Sequence, residues 1–256
     1  MPWNPEKYHQ FKKERSAPFE DLFHLVRARP GLEVIDLGCG TGELTLQLAE
    51  RLPESRVLGI DSSPEMLERA VSNQHAGLRF EQGLIQEVDG EWDLVFSNAA
   101  IHWVDDHPSL LPRLLSLVRP GGQLVVQMPS NHTHPAHLLI LETAQEEPFR
   151  QALGGWTRTS PVLPIDAYAE LLYRNDCRDI TVFEKVYPHL LEDAGALADW
   201  TSGTALVPYF ERLEPDLRDR FMDRYRERLR ERFPESPVFY GFRRTLFAAT
   251  RGISTR

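Results

Sequence analysis

Between residues 33 and 128, short apolar runs of strand length alternate with segments whose apolar residues recur at helical spacing. EVIDLG at 33–38 runs into glycines, and GELTLQLAERL at 42–52 carries Leu44, Leu48 and Leu52 four residues apart, one face of a helix. RVLGID at 56–61, LRFEQG at 78–83 and WDLVFSN at 92–98 read as the next three strands. Ser63-Pro64 reads as an N-cap followed by proline at the first helical position. A leucine-rich helix is expected over 108–118, and Pro120-Gly121-Gly122 turns the chain into a fifth strand, QLVVQM at 123–128. Alternation at this pitch predicts an α/β fold, a doubly wound and mostly parallel sheet with helices on both faces.

From Pro129 to about Asn175 the alternation lapses. Helices are predicted near 135–147 and 164–174, with a loop through Gly154-Gly155, and a segment of this length is expected to act as a lid or binding loop. DITVFEKVYP at 179–188 resumes strand alternation, helical patterns cover 192–205 and 214–233, and VFYGFRRTLFAAT at 238–250 closes as a last strand. The expected organisation is one domain over 1–256: an N-terminal cap of about 1–30, a core of 31–128, a helical insertion of 129–175, and C-terminal strands and helices from 176. In the 214–233 helix, Leu217, Phe221, Tyr225, Leu229 and Phe233 define a core face. Its seven arginines and six acids are nearly balanced, which predicts a solvated face laced with i,i+4 pairs rather than a nucleic-acid surface.

Composition narrows the partners. Lys and Arg number 29 against 38 Asp and Glu, a formal charge of −9, which argues against nucleic acid. With 256 residues, 41% of them hydrophobic, the chain can bury a substantial core. Two cysteines, Cys39 and Cys177, make no disulfide framework. No stretch approaches the roughly 18 apolar residues of a membrane span. MPWNPEKYHQFKKERS lacks the apolar centre of a signal peptide, so a cytoplasmic protein with no membrane partner is expected. His9, His75 and His189 show no ligand spacing, and no metal site is expected.

The chemistry-bearing motif is Asp36-Leu37-Gly38-Cys39-Gly40-Thr41-Gly42, between the first strand and the first helix. Glycines there let the backbone turn sharply and approach a ligand closely. Asp61 ends the second strand about 20 residues on, where a carboxylate can accept both hydroxyls of a ribose. A dinucleotide fingerprint would read GxGxxG, but Glu43 stands where its third glycine would be, and a carboxylate in the first helical turn repels a pyrophosphate. S-adenosyl-L-methionine has no phosphate and carries a sulfonium cation, which suits Asp36 and Glu43.

With Pro-Gly-Gly before the fifth strand, residues 33–128 resemble the class I S-adenosylmethionine-dependent methyltransferases. Over nearly the whole chain the sequence is similar to one family among them, the trans-aconitate methyltransferases. The likeness lies in Trp3-Asn4-Pro5 to Tyr8 with Glu14-Arg15-Ser16, in Gly59-Ile60-Asp61-Ser62-Ser63-Pro64 with Met66, in Ser97-Asn98-Ala99 with Trp103, in Gln127-Met128-Pro129 with Asn131, and in Asp199-Trp200-Thr201. The resemblance implies that Gly38, Gly40 and Gly42 contact the methionyl end and that Asp61 holds the ribose, with Asp36, Cys39, Ser62, Gly83 and Leu84 in the same expected cofactor set. Met66 would border the adenine, and Asn98 would face the sulfonium. Relatives usually carry an acid after strand three to accept the adenine amine; Leu84 departs from that pattern, which leaves a backbone carbonyl or Gln86 as the substitute.

The implied reaction is methyl transfer to a carboxylate of a small polycarboxylic acid, giving a methyl ester. A carboxylate is ionised at neutral pH, so no general base is required. Arginines should hold the carboxylates that do not react, because a cation on the attacking oxygen would blunt it. Candidates are Arg15, which is expected to follow a short N-terminal helix, and Arg243 and Arg244, of which strand alternation turns one outward. Tyr8, His102, Trp103, Asn131, His132, Trp200 and Tyr209 are candidate walls. A monomer or weak homo-oligomer is expected. A different small-molecule or acyl-carrier acceptor, or a non-catalytic cofactor-binding subunit, remain alternatives, with a dehydrogenase a distant third.

Overall fold

The structure, a computed structural model, describes residues 12–253. Its strands are β1 (Glu33–Leu37), β2 (Arg56–Asp61), β3 (Leu78–Gln82), β4 (Trp92–Asn98), β5 (Val118–Pro129), β6 (Cys177–Leu191) and β7 (Val238–Arg251). Its helices are α1 (Lys12–Phe23), α2 (Glu43–Glu50), α3 (Pro64–Ala70), α4 (His107–Ser116), α5 (Pro135–Ala144), α6 (Phe149–Ala152), α7 (Ile165–Arg174), α8 (Ala194–Ser202), α9 (Val207–Phe210) and α10 (Pro215–Arg232). The strands form one sheet in the order β3-β2-β1-β4-β5-β7-β6. β1 to β5 pair in parallel and β7 runs antiparallel to β5. The doubly wound, mostly parallel sheet expected from the alternation is therefore present. The order reverses at β1, which pairs with β2 on one side and β4 on the other, and such a switch opens a crevice at the strands' carboxyl ends.

Alternation along each strand decides which face a side chain serves. Ile35, Leu37, Leu58, Ile60, Val95, Leu124 and Val126 pack with the leucines of α4 and with Tyr168 and Leu172 of α7. Val34, Val57, Leu94, Phe96 and Val125 pack on the other face with Phe19 and Leu22 of α1, Leu48 of α2 and Leu67 of α3. Burial on both faces is why these strands read as continuous apolar runs. α3 begins as expected, with the Ser63 hydroxyl accepting the Met66 N–H at 3.2 Å and Pro64 in the first turn.

Two local readings are corrected. β5 starts at Val118 rather than 123, because Val118 pairs with Trp92 before the register jumps to Leu94↔Gln123 and loops out Pro120-Gly121-Gly122 as a bulge. A Cβ on Gly122 would lie 2.7 Å from the Asp93 carbonyl, so the bulge requires glycine. In α10 the expected face is present: Phe221, Tyr225 and Leu229 are buried, with Leu217 and Phe233 packed at its edges. Its intrahelical ion pairs are i,i+3 rather than i,i+4, Arg224 with Glu227 and Arg226 with Asp223, and three of its arginines also reach beyond the helix. Arg224 and Arg228 bind Glu146, Arg228 also binds Glu142 of α5, and Arg226 binds Asp199 of α8. The hydrogen bond from Arg224 leads in holding the Glu146 carboxyl down at about 2.

The chain forms two compact units. One takes residues 15–129, 161–185 and 244 onward and holds the two cores just described; the other takes, among the described residues, 12–14, 130–160 and 186–243. The second unit has its own core, in which Phe221, Tyr225 and Leu229 meet Leu197 and Ala198 of α8, Ala136 and Ile140 of α5, and Tyr240. No helix among the described residues is long and apolar enough to cross a membrane.

In the sheet unit a buried polar chain ties α4 to α7. His107 Nε2 lies 3.0 Å from the Ile101 carbonyl, so that nitrogen carries the proton and Nδ1 accepts from the Tyr168 hydroxyl. The Tyr168 oxygen in turn accepts the Leu163 N–H at 3.1 Å. Burial pushes the His107 pKa down, which keeps this tautomer neutral. Tyr168→Phe should cost about 1–3 kcal/mol for each group left unpaired, seen as a lower urea midpoint at unchanged slope.

Candidate functional site

The turn after β1 is built by three glycines in the left-handed region, Gly38, Gly40 and Gly42, with φ of 78°, 56° and 75°. They serve different ends. A Cβ on Gly38 would lie 2.2 Å from the Ala100 Cβ, and one on Gly42 would lie 2.7 Å from the Phe80 ring, so both are set by packing. A Cβ on Gly40 would meet nothing within 4 Å, and the same is true of Gly83 after β3. Both open glycines bind Asp61 at the end of β2: the Gly40 N–H donates to Asp61 Oδ2 at 2.9 Å, and the Gly83 N–H to the Asp61 carbonyl at 3.0 Å. Asp61 Oδ1 accepts the Ser63 N–H at 2.9 Å. Ionised carboxylates have about four acceptor sites, so the side chain keeps capacity beyond these two bonds.

Asp36 is 3% exposed at the end of β1, on the α2 face of the sheet. Oδ2 accepts from the Thr45 hydroxyl of α2 at 2.6 Å, whereas Oδ1 has no partner among the described residues. Burial raises the Asp36 pKa to about 7, against the Thr45 hydrogen bond and with help from Asp61. An orphaned buried carboxylate oxygen calls for a cationic ligand or water. Beside it, two glycines leave room where side chains would stand. A cation without phosphate, such as S-adenosylmethionine, fits these groups.

The rest of the expected cofactor set lies around the same strand ends. Cys39 is buried, and burial pushes its thiol pKa far up, so the thiol stays protonated. Ser62 is exposed and its carbonyl accepts from Gln82; Met66 is half-buried in the first turn of α3. Leu84 is 40% exposed just after Gly83. Asn98 ends β4, half-buried, its Oδ1 accepting from Gln127 Nε2 at 2.6 Å. His102 and Trp103 follow in the next turn with ring centroids 4.9 Å apart, and Trp103 is 47% exposed.

The expected acceptor residues divide between the units. Arg244 belongs to the sheet unit, is 8% exposed, and donates from Nη1 to Gln127 Oε1 at 2.8 Å. Arg243 is in the other unit, half-buried, its guanidinium on the Thr133 hydroxyl. Of the pair, alternation thus turns Arg244 inward. In the second unit Asn131, Trp200 and Arg243 gather at Tyr240: Asn131 donates to the Tyr240 hydroxyl at 3.0 Å and accepts the Arg243 N–H at 2.6 Å, while the Trp200 ring lies 5.9 Å from that of Tyr240. Half-buried His132 sits in the turn between Asn131 and Thr133.

Two wall assignments are corrected. Asn131 is buried with both ends of its amide used internally. Tyr209 is a core residue, stacked on Phe221, its hydroxyl accepting the Arg158 N–H at 3.1 Å. Arg15 lies inside α1 rather than after a helix, and only its backbone is described; Tyr8 lies outside the described residues. Thr45 and Phe80 carry no expectation from the sequence, and Gln127 enters it only through the likeness at Gln127-Met128-Pro129. Thr45 had a signal, standing one helical turn after the last motif glycine; Phe80 and Gln127 are defined by cross-strand neighbours. Among the described residues no His, Cys, Asp or Glu cluster has the makings of a metal site.

The fold and this cradle define a class I S-adenosylmethionine-dependent methyltransferase. A methyltransferase-domain family matches residues 28–162. Solved structures share the fold: the YcgJ protein of Bacillus subtilis at TM-score 0.61, 14% identity, covering 93% of this chain and 100% of that one. A Haemonchus contortus phosphoethanolamine N-methyltransferase 2 in complex with S-adenosyl-L-methionine matches at TM-score 0.55, 17% identity, 93% of this chain and 53% of that one. At the sequence level, trans-aconitate 2-methyltransferase of Deinococcus radiodurans is 53% identical over 98% of this chain and 99% of its own. The Rhizobium meliloti enzyme of the same name is 37% identical over 99% and 100%. The chain belongs to the trans-aconitate 2-methyltransferase family, and its cofactor is S-adenosylmethionine.

Two outcomes follow from the cradle. Gly40→Val should abolish cofactor binding by calorimetry at a folding cost of about 1–2 kcal/mol for the left-handed backbone, whereas Gly42→Ala should mainly lower the melting temperature. Binding of S-adenosylmethionine should weaken as pH falls through about 7, where Asp36 takes up a proton and loses its attraction for a cation. Asp36→Asn should remove that dependence in titrations across this range.

Proposed function

We propose that this protein methylates a carboxylate of trans-aconitate, or of a closely similar small polycarboxylate, to its monomethyl ester. The observation that carries this reading is the 53% identity to a trans-aconitate 2-methyltransferase over 98% of the chain, which reaches well beyond the cofactor cradle. When bound, S-adenosylmethionine supplies an electrophilic methyl group on sulfur, and transfer to a carboxylate oxygen yields the ester and the neutral thioether. In this reading Gly38, Cys39, Gly40 and Gly42 bear the methionyl end, Asp36 offers its orphaned oxygen to the cation, and Asp61 with Ser62 takes the ribose. Met66, Gly83 and Leu84 border the adenine, with backbone groups and Leu84 in place of an acidic acceptor.

The chain's own residues bind and align; none has to move a proton. Charge is neutralised as carboxylate meets sulfonium, so excluding water favours the reaction. His102, Trp103 and Trp200 are proposed as apolar walls. Arg15, Arg243 and Arg244 are proposed to offset the acceptor's charge, since a chain of net charge −9 does not draw in a polyanion at long range. The protein is proposed to work in the cytoplasm as a monomer or weak homo-oligomer, with a small polycarboxylate as its partner.

Removing one arginine clamp should cost about 2–5 kcal/mol in kcat/KM for the polycarboxylate while cofactor affinity holds. At saturating cofactor the rate should stay flat with pH above the acceptor's own carboxyl pKa values. Full activity in Arg15→Ala, Arg243→Ala and Arg244→Ala alike would sink the clamp, and a rate climbing steeply near about pH 8 would indicate an amine, thiol or hydroxyl acceptor.

A further inference from the structure

Asn98, Gln127 and Arg244 form a hydrogen-bonded row across β4, β5 and β7. Asn98 and Gln127 are register partners, and Arg244 pairs with Pro129, two residues along β5 from Gln127. Alternation places all three on the face of Val34, Phe96, Val125 and Leu246, which is also the face of Asp36 on the strand next to β4. Gln127 is fully buried and Arg244 nearly so.

The direction of each bond in this row is dictated by its arginine end. A guanidinium only donates, so the Gln127 atom 2.8 Å from Arg244 Nη1 must be the amide oxygen. The Gln127 amine then faces the other way, and the Asn98 atom 2.6 Å from it must be Oδ1. Reversing either amide would set donor against donor in a buried place, where an unpaired polar group is costly. Asn98 is left with Nδ2, which donates to none of the described residues, at the carboxyl end of β4.

We infer that Gln127 is a positioning residue: held by Arg244, it makes Asn98 present an N–H to the methyl acceptor, so this point recognises an anionic oxygen. This revises the expectation that Asn98 faces the sulfonium, because Oδ1 is turned toward Gln127 and the end left open is an N–H, which repels a cation. It rests on the carboxylate-methylating reading and deepens it. A neutral amide N–H holds a carboxylate with a weaker bond than a guanidinium, and so orients a reacting oxygen without blunting it as a cation would. The positive charge of Arg244 stays removed from the reacting oxygen by the Gln127 and Asn98 amides, consistent with its proposed part in offsetting the carboxylates that do not react.

The test is Gln127→Glu, with Gln127→Met as its partner. The introduced carboxylate accepts from Arg244 and from Asn98 alike, so the Asn98 amide turns over and offers Oδ1 to the acceptor. Methionine keeps the volume but imposes no direction. The expected result is a rise of at least about tenfold in KM for trans-aconitate in Gln127→Glu, with kcat and S-adenosylhomocysteine affinity within about threefold of wild type, and a smaller rise in Gln127→Met. A KM in Gln127→Glu within about twofold of wild type, an equal or larger rise in Gln127→Met, or a matching loss of S-adenosylhomocysteine binding would overturn the inference. If Gln127→Glu does not fold, Asn98→Asp carries the same expectation, since Gln127 can still donate to it while the outward N–H becomes a carboxylate oxygen; an unchanged acceptor KM there would overturn the inference too. Wild-type enzyme assayed alongside keeps the two claims apart: no turnover of trans-aconitate by wild type counts against the carboxylate reading itself.

Discussion

Strands β1, β2, β4 and β5 bury side chains on both faces, and that burial constrains every polar group they carry. A buried polar atom must find a partner in the protein or be met by a ligand. Asp36 shows both outcomes on one side chain: Thr45 takes one oxygen, and the other is left at the crevice. His107 shows the fully paired case, with Ile101 and Tyr168 on its two ring nitrogens. The carboxyl ends of β1 and β4, where the strand order reverses, are where incomplete pairing becomes useful, because a ligand can complete it.

The glycine turn divides its labour under the same constraint. Gly38 and Gly42 lie against Ala100 and Phe80, and close packing demands them whether or not a cofactor binds. Gly40 and Gly83, whose N–H groups both bind Asp61, face open space, and there no packing neighbour demands the absence of a side chain. Packing therefore accounts for only part of the motif. On the next strands the row from Arg244 through Gln127 to Asn98 uses donor and acceptor counting to orient a group at the same edge.

The second unit obeys the same packing rules with a different aim. Its core of Phe221, Tyr225 and Leu229 against α5 and α8 is a cluster of its own. Arg224, Arg226 and Arg228 serve assembly of this unit, through Glu142, Glu146 and Asp199. Tyr240 gathers Asn131 and Trp200 by hydrogen bond and ring contact, with Arg243 held through Asn131.

Local periodicity and turn chemistry were legible in the chain itself. The alternation at Val34-Ile35, the leucine spacing of α2, the Ser63-Pro64 start of α3 and the apolar face of α10 each depend on neighbours a few residues away, and all are present in the fold. The glycine turn with Asp61 was legible for the same reason, since spacing along one strand–turn–helix unit places its parts. What depends on strand register was not legible. The bulge at Pro120-Gly121-Gly122, the burial of Asn131 and Tyr209, the cross-helix partners of Arg224 and Arg228, and the direction of the Asn98 amide all arise from residues up to more than a hundred positions apart. Periodicity names the face on which a side chain stands; only pairing between distant segments decides which atom meets it there.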